Sequence, residues 1–572
     1  MTPARAALIT MVLLLPSLGL GAMLDDHQIL ILLGGVVDAD LAWGNLFAFI
    51  PEDPAVRQDL LVHGGLPWWA SDQLKMAFFR PLASWHLALD HALFGRSLVF
   101  WHAHQILWAG ALVGLGAAVQ RKLLPTRIAG LAMLIWAFDV SHGMPGSWIA
   151  NRNALNAMVP ALLGLLAHLR WRQDGWSPGL PLSLLGFATG LLGGEAALGI
   201  MAYVAAYELF GAPERRLSRL APAATLAVGY LVLYKAMGLG TQASGIYVDP
   251  LASPIRWLGD LPRKLILFVG GDFGGFPVVL SSLNPQVLPV QLLVGTVVAL
   301  HVGWLSRWTW QRIDPDTQRT FRWLLIGALG ALLPSLSTFP SDRLLQATSL
   351  GTAAWVATVL VTARDAVGAP RKVRWGVVPL AGVALVMMPL GILGTQATLG
   401  VMSGWADDTA AQADLDDATL ATTHQVVLAA STYEVGFYLP FIRWKQTGVL
   451  AESWRVLSIA PHDHVFTRTG PQTLEMQVVD GAMLKGLFEA MFRGPDHPLA
   501  VGDLLEAGPL TARILALGEP GPSHVGFTFA GDLDGPDYRW LMWTRDGLKQ
   551  VALPAVGEQL RVPFSHPAEE PR

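Results

Sequence analysis

Residues 377–393 read VVPLAGVALVMMPLGIL, a stretch without a charged side chain that is long enough to cross the hydrocarbon core of a bilayer. Similar runs recur along the chain and determine its composition. Hydrophobic residues make up 52% of the 572 positions and charged residues 14%, whereas a soluble globular chain carries roughly a quarter charged residues. The sequence therefore predicts an α-helical polytopic membrane protein.

The apolar runs predict about eleven spans. They cover residues 6–24, 98–119, 128–144, 148–169, 180–192, 196–210, 221–237, 286–305, 323–336, 345–361 and 377–393. We expect the first run to be retained rather than cleaved as a signal peptide, because only Arg5 precedes it as a basic residue.

Basic residues set the predicted orientation, because they fall on alternate connections that the positive-inside rule assigns to the cytoplasm. These residues are Arg121, Lys122, Arg127, Arg170, Arg172, Arg215, Arg216, Arg219, Arg307, Arg312, Arg319, Arg364, Arg371, Lys372 and Arg374. The amino terminus is then cytoplasmic, and the chain after about residue 393 is extracytoplasmic. A bacterial inner membrane facing the periplasm is the expected location.

Two long regions are predicted on the outer side. Residues 25–97 form a first outer loop in which Trp43, Trp68, Trp69, Phe78 and Phe79 indicate interfacial amphipathic helices. Residues 396–572 predict a β-rich soluble domain, with strands at 426–428 and 524–529 and a helix at 484–493. The chain is thus divided into a membrane domain, 1–395, and a C-terminal extracytoplasmic domain, 396–572.

The segment 265–283 contains the sequence GGDFGG at 270–275 and is apolar enough to be a further span. Counting it as a span would place the loop containing Arg307 outside, against the positive-inside rule. We therefore predict a re-entrant or interfacial segment with irregular, glycine-rich backbone.

Composition also excludes several kinds of chemistry. The net charge is −4 and no Lys/Arg-rich tract is present, so nucleic acid is not an expected partner. The chain has no cysteine, which excludes disulfides, thiolate nucleophiles and iron-sulfur clusters. No repeat of solenoid period is found, so a tetratricopeptide array is not expected.

Asp25 and Asp26 are the first candidate functional residues, at the outer end of the first span. Carboxylates in this place can accept a proton from an attacking hydroxyl, or bind a divalent cation such as Mg²⁺ or Mn²⁺. The alternative is an ordinary solvated helix end.

Three arginines and one glutamate are predicted near the outer membrane surface: Arg80, Arg152, Glu195 and Arg343. A guanidinium group is always charged and suits a phosphate oxygen. The alternative for Arg80 and Arg343 is to anchor their loops at the lipid headgroups, and the alternative for Arg152 is a structural ion pair. Glu195 needs a cation, a hydroxyl or a proton, so it is either a substrate ligand or the salt-bridge partner of Arg152 or Arg343.

The order of these features resembles the GT-C superfamily of polyprenyl-phosphate-sugar glycosyltransferases. An acidic pair follows the first span, Arg80-Pro81-Leu82 precedes the second with Asp90 and His102 downstream, and Trp148-Ile149-x-x-Arg152 opens the fourth. Gly194-Glu195 follows the fifth span, and Arg343 precedes a late one. The resemblance is greatest to the protein O-mannosyltransferase type with transmembrane and tetratricopeptide regions, here without the repeats, and it extends over roughly residues 6–395.

The resemblance implies a glycosyltransferase that moves a sugar from a polyprenyl-phosphate carrier to a hydroxyl of a protein, lipid or glycan on the outer face. It implies that Asp25 or Asp26 is the catalytic acid, with a divalent metal as an optional cofactor. It also places Arg80, Asp90, His102, Arg152, Glu195 and Arg343 near the lipid phosphate and sugar. The family usually has an acid where this chain has Asn153-Ala154 and a lysine where it has Gly194, so donor specificity is not implied.

Other functions remain compatible with the sequence. A lipid or glycoconjugate transporter would use Arg152 and Glu195 along a translocation path, and it would favour an inverted repeat, which is not found. A non-catalytic scaffold would use the C-terminal domain to bind envelope partners.

Overall fold

A computed structural model of the protein describes residues 1–36, 44–214 and 217–565. Trp43, Arg215 and Arg216, which enter the predictions above, lie outside the described residues. Up to Gln412 the described chain is mostly helical, with α-helices at Pro3–Leu14, Asp25–Leu33, Pro54–His63, Pro81–Phe94, Leu98–Leu123, Thr126–Phe138, Gly143–Ser147, Arg152–Asp174, Gly179–Gly193, Ala196–Ala206, Leu217–Ala236, Pro254–Gly274, Leu280–Leu283, Leu288–Trp310, Pro315–Leu332, Ser349–Asp365, Arg371–Gly382 and Met388–Gln412.

Within residues 1–36, 44–214 and 217–565, six helical segments are long and apolar enough to cross a membrane. They are Leu98–Leu123, Ile149–Asp174, Leu217–Ala236, Pro285–Trp310, Pro315–Ser337 and Arg371–Gln412. Shorter apolar helices cover Pro3–Gly19, Gly179–Gly193 and Ala196–Gly211. The protein is an integral membrane protein by these helices. The predicted apolar runs fall largely on helices, while their count of about eleven as spans stays a prediction.

The predicted span at 128–144 is not one straight helix. Thr126–Phe138 and Val140–Ser147 meet at an angle of 44°, and counting the pair as one span gives seven candidates among the described residues. Asp139 stands at the bend, where its side chain accepts a hydrogen bond from the backbone N–H of Ser141 at 2.9 Å. An aspartate that caps a new helical turn in this way ends the preceding helix.

The glycine-rich segment is helical as far as Gly274, so the predicted irregular backbone is wrong up to that residue. Its re-entrant or interfacial placement stays a prediction. Helix Pro254–Gly274 packs against helix Leu288–Trp310. A Cβ atom at Gly270 would lie 3.1 Å from the Cα of Gly295, so the two glycines allow the backbones to approach closely. Irregular backbone begins at Gly275, whose φ of 67° ends the helix.

The last membrane helix also differs from the prediction, because it continues to Gln412 and passes through the predicted domain boundary at residue 395. No proline interrupts the sequence between residues 390 and 412, and alanine is frequent near its end, so the helix propagates beyond the apolar run. The C-terminal domain begins after this helix.

The C-terminal domain contains two sheets, and the strands predicted at 426–428 and 524–529 are confirmed. Its strands are β4 (His424–Val427), β5 (Ser453–Val456), β6 (His464–Gly470), β7 (Thr473–Val478), β8 (Leu504–Ala507), β9 (Leu510–Leu517), β10 (Pro522–Phe529), β11 (Tyr538–Thr544), β12 (Gly547–Gln550) and β13 (Gln559–Val562). The larger sheet is antiparallel with the order β13-β6-β7-β10-β9-β8, and the smaller is mixed with the order β12-β11-β4-β5. Helices at Asp417–Leu420, Leu439–Thr447 and Leu487–Phe492 connect strands, the last within the predicted 484–493.

The first outer region packs on the C-terminal domain, and not along the lipid interface as the tryptophans predicted. The side chains of Trp68 and Trp69 are 4% and 0% exposed, and the indole N–H of Trp68 donates to the carbonyl of Leu457 at 2.9 Å. Arg493 donates to the carbonyls of Trp69 and Ala70 at 2.7 and 3.0 Å. In sequence, an apolar face that packs on a partner domain looks the same as one that packs on lipid.

A second arginine strengthens this attachment. Arg455 of the C-terminal domain donates to the carbonyls of Leu61 and Ala507 at 3.0 and 2.9 Å, and also to the carbonyl of Val62. A small antiparallel sheet of β1 (Ala48–Ile50), β2 (Lys75–Ala77) and β3 (Gly240–Gln242) joins the first outer region to the loop before helix Pro254–Gly274. Residues 44–97, the loop before helix Pro254–Gly274 and the C-terminal region are therefore joined by direct contacts.

Candidate active site

Asp25 and Asp26 open the short helix Asp25–Leu33, and the chain enters this helix in a strained conformation. Leu24 has a φ of 49°, which is uncommon for a residue other than glycine. Strain of this kind costs of order 1–3 kcal/mol and is concentrated at functional sites. The two carboxylates that follow reach different partners, so their environments can be told apart.

Asp26 is buried and both of its carboxylate oxygens accept backbone hydrogen bonds. Oδ1 accepts from the N–H of Ala150 at 2.7 Å, and Oδ2 accepts from the N–H of Met23 at 3.1 Å. Burial raises the pKa of Asp26 to about 8, although the two hydrogen bonds lower it. Asp26 therefore ties the helix Asp25–Leu33 to the turn Ile149–Asn151, and each of its oxygens already accepts one backbone hydrogen bond.

Asp25 is only partly buried and keeps one oxygen unpaired. Its Oδ1 accepts a hydrogen bond from the hydroxyl of Tyr438 at 2.8 Å, while Oδ2 makes no hydrogen bond in the described part of the chain. Burial raises the pKa of Asp25, and the Tyr438 hydroxyl and the charges of Arg343 and Arg80 lower it. The structure thus distinguishes the two aspartates, which the sequence left equivalent.

Arg343 lies close enough to Asp25 for each charge to affect the pKa of the other, and it has few partners of its own. Its Nη1 donates to the side-chain oxygen of Asn151 at 3.4 Å, and its guanidinium lies over the ring of Trp148 at 5.3 Å. No carboxylate oxygen lies within 4.0 Å of it, and its Nε has no hydrogen-bond partner, among residues 1–36, 44–214 and 217–565. Burial lowers the pKa of Arg343, and the nearby Tyr247 and Asp25 raise it. This cation is available to an anionic ligand.

Arg80 is held on one side by Glu195. Its Nε donates to Oε2 of Glu195 at 3.1 Å, and its guanidinium lies over the ring of Phe78 at 4.4 Å. The other Glu195 oxygen accepts from the hydroxyl of Tyr234 at 2.9 Å. The side chains of Arg80 and Glu195 are 18% and 27% exposed, so the pair still has a free face. Glu195 is thus a salt-bridge partner of Arg80. The predicted partners, Arg152 and Arg343, are wrong, and the role of Glu195 as a substrate ligand stays a prediction.

Arg152 and Asp90 form a buried ion pair beneath these residues. The side chains are 0% and 1% exposed, and Nη1 of Arg152 donates to Oδ2 of Asp90. Arg152 also donates to Gln105 and to the carbonyl of Trp101, and Oδ1 of Asp90 lies 2.7 Å from Nδ1 of His104. Arg152 therefore matches the structural ion pair that the sequence left as the alternative to substrate contact.

His102 is likewise fully buried, on helix Leu98–Leu123. The structure consequently divides the predicted site residues into two groups. Asp25, Arg80, Glu195 and Arg343 are partly exposed and lie near one another, whereas Asp26, Asp90, His102 and Arg152 are buried.

Sequence reasoning missed the tyrosines of the site. Tyr438 comes from the C-terminal domain, and Tyr247 lies in the loop after β3, close enough to interact with the charges of Arg343, Arg80 and Asp25. Burial raises the pKa of both phenols. No local pattern marks either tyrosine, and only their contacts in the fold reveal them.

The arrangement does not fit a divalent metal. Divalent cations such as Mg²⁺ and Mn²⁺ take about six oxygen ligands, but both oxygens of Asp26 are already engaged with backbone N–H groups. Among the described residues, no cluster of three or more His, Asp or Glu side chains could hold a metal ion. The paired use of Asp25 and Asp26 as metal ligands is therefore not supported by their geometry.

Comparison with known proteins gives matches among solved structures only. No protein-family model matches the sequence, and no curated protein matches it. The chain is similar to the Archaeoglobus fulgidus oligosaccharyltransferase tethered with an acceptor peptide, with a TM-score of 0.40 and 13% identity. The match covers 79% of this chain and 64% of that one, so it spans less than two thirds of the archaeal enzyme.

A second similarity is to ArnT from Cupriavidus metallidurans bound to undecaprenyl phosphate, with a TM-score of 0.31 and 16% identity. That match covers 77% of this chain and 84% of ArnT. Similarity of this degree does not assign a function. The function must be inferred from the residues of the site.

Proposed function

We propose that the protein is a membrane glycosyltransferase that moves a sugar from a polyprenyl-phosphate carrier to an acceptor hydroxyl on the outer face. One observation carries the proposal: Asp25, with an unpaired carboxylate oxygen, faces Arg343, a cation without a carboxylate within 4.0 Å among the described residues. A general base opposite a free cation is the arrangement that an attacking hydroxyl and a departing phosphate require.

Asp25 acts as the general base. Its Oδ2 accepts the proton of the acceptor hydroxyl, the acceptor oxygen forms a bond to the anomeric carbon, and the bond from that carbon to the phosphate oxygen breaks. The sugar passes through an oxocarbenium-like state, and a single displacement inverts the anomeric centre. Burial raises the pKa of Asp25 toward the operating pH, where a base is most effective.

Arg343 receives the leaving group. The phosphate departs with the bonding electron pair, and a guanidinium already in place stabilises the developing negative charge without reorganisation. Arg80 adds positive charge on the same side, while Glu195 can accept hydrogen bonds from sugar hydroxyls with the free face of its carboxylate. The planar, forked guanidinium suits phosphate oxygens better than an ammonium group does.

The buried residues act indirectly. Asp26 fixes the start of the outer helix, and with it Asp25, to the turn that precedes Arg152. Asp90 and Arg152 hold helices Pro81–Phe94, Leu98–Leu123 and Arg152–Asp174 together. His102 is fully buried on the second of these helices. The oxygens of Asp25 and Asp26 do not form a ligand set that fits a divalent metal, so the sugar transfer is assigned to the side chains.

The donor class and acceptor can be tested on membranes that contain the full-length protein. A panel of labelled polyprenyl-phosphate sugars is supplied, and transfer of label to material separable from the lipid carrier is measured. We expect one or more donors to be used, and Asp25→Asn to abolish transfer while the amount of folded protein is unchanged. Asp408→Asn, the same change at an exposed outer position, is the matched control.

Full transfer by Asp25→Asn would remove the assignment of the base. A label that crosses the membrane but stays on its carrier would identify a transporter instead. No transfer by the wild-type protein with any donor of the panel would contradict the proposed reaction class.

A further inference from the structure

Tyr438 links the C-terminal domain to the candidate base. Its hydroxyl donates to Oδ1 of Asp25 at 2.8 Å, across 413 positions of sequence. Tyr438 ends a short π-helical turn, Glu434–Tyr438, that precedes helix Leu439–Thr447. Turns of this kind are rare and frequently stand at functional sites.

The turn is fixed from within the C-terminal domain. The indole N–H of Trp454, on β5, donates to the carbonyl of Gly436 at 2.9 Å. Val435, within the turn, and Leu439, directly after it, are both 1% exposed. The ring of Tyr433, directly before the turn, stacks on the ring of Phe488. The phenol of Tyr438 is thus presented to Asp25 by a packed scaffold and not by a free loop.

We propose that Tyr438 is a positioning residue, which holds Oδ1 of Asp25 so that Oδ2 points to the acceptor hydroxyl, and that the C-terminal domain thereby completes the active site. This inference rests on the proposed function of Asp25 as the base. It gives the C-terminal domain a defined task in the reaction, which neither its sequence nor its two sheets indicate.

The hydrogen bond also affects the charge of Asp25. Burial raises the pKa of Asp25, and the bond from Tyr438 is the largest of the influences that lower it. Loss of the hydroxyl should therefore raise the pKa further and leave less carboxylate at a given pH. The charged and titratable groups that face Asp25 from the elements around it are Asp26, Arg80, Tyr247, Arg343, Tyr433 and Tyr438.

The test uses the full-length protein purified in detergent, with Tyr438→Phe as the variant. A carbodiimide reacts with protonated carboxyl groups, and peptide mass spectrometry reports modification of Asp25 as a function of pH. We expect the pH of half-maximal modification to rise by roughly one unit in the variant, the equivalent of about 1.4 kcal/mol. Tyr538→Phe, a change of the same kind far from Asp25 in the C-terminal domain, should leave it unchanged.

A second substitution covers the case in which Tyr438→Phe does not fold. Replacement of Tyr438 by 3-fluorotyrosine keeps the shape of the side chain and makes the phenol a stronger donor, so half-maximal modification of Asp25 should move to lower pH. An unchanged titration of Asp25 in the folded variants would overturn the proposal.

The labelling experiment is independent of the reaction. If no donor of the panel is used by the wild-type protein but the titration of Asp25 shifts, the proposed function fails and the positioning contact stands. If a donor is used, Tyr438→Phe should lower kcat and move the acidic limb of the pH profile upward. A normal pH profile together with an unshifted titration would show that Tyr438 only packs.

Discussion

Replacing Arg152 by methionine should destabilise the protein, because it leaves the buried carboxylate of Asp90 without its guanidinium partner. Its side chain is 0% exposed, and it donates to Asp90, to Gln105 and to the carbonyl of Trp101. Removing one partner of a buried ion pair typically costs about 3–5 kcal/mol. His104 stays 2.7 Å from Asp90 and can compensate in part, so we expect a loss of about 3 kcal/mol in the free energy of unfolding.

The assay compares Arg152→Met with Arg343→Met by denaturation in mixed micelles, followed by tryptophan fluorescence. Arg343 makes one long hydrogen bond, at 3.4 Å to Asn151, so its replacement should change the free energy of unfolding by less than about 1 kcal/mol. Binding of polyprenyl phosphate should behave in the opposite way: Arg343→Met should weaken it about tenfold or more, and Arg152→Met only as far as folding is affected.

The opposite outcome would be an Arg152→Met variant that unfolds like the wild-type protein but binds polyprenyl phosphate weakly. Arg152 would then contact the ligand, and the buried pair with Asp90 would not describe its role.

Three further predictions follow from contacts outside this pair. Burial raises the pKa of Asp26 from 3.8 to about 8, so between these pH values the folded protein holds a proton that the unfolded chain has lost. The free energy of unfolding should therefore fall as the pH rises through this range. Asp26→Asn should remove this pH dependence. Arg455→Met should loosen the first outer region from the C-terminal domain, measured as faster proteolysis near residues 54–63, and an unaltered cleavage rate would contradict the role of the carbonyl contacts. Gly270→Leu should force helices Pro254–Gly274 and Leu288–Trp310 apart and lower stability by about 1–3 kcal/mol in thermal unfolding, whereas Gly259→Leu, where a Cβ meets nothing within 4 Å, is its control.

The membrane helices were predictable because hydropathy is a local property. The runs at 98–119 and 286–305 lie inside helices Leu98–Leu123 and Pro285–Trp310. The ends of the helices are harder to predict. The bend at Asp139 depends on a hydrogen bond from its side chain. The last membrane helix continues to Gln412, beyond the apolar run. Hydropathy indicates which residues can lie in the bilayer, but it does not indicate how far a helix continues beyond it.

The candidate site was predictable in its charges but not in their pairing. Asp25, Arg80, Glu195 and Arg343 were named from their positions at the outer ends of spans, and the structure places them near one another. The burial of Arg152 depends on Asp90 of another helix, which no spacing rule reveals. Tyr438 depends on a domain that begins after Gln412, so its contact with Asp25 belongs to the tertiary structure alone.

The attachment of the first outer region to the C-terminal domain has a consequence for biosynthesis. Trp68 and Trp69 leave the ribosome long before the C-terminal residues that contact them, which include Leu457, Arg493 and Phe527, have been made. Until the C-terminal region has been made, the indole of Trp68 lacks its contacts with Leu457 and Phe527. Asp25 likewise lacks the hydrogen bond from the phenol of Tyr438. The contact between Asp25 and Tyr438 can therefore form only after nearly the whole chain has been made, and a chain that ends before Tyr438 lacks it.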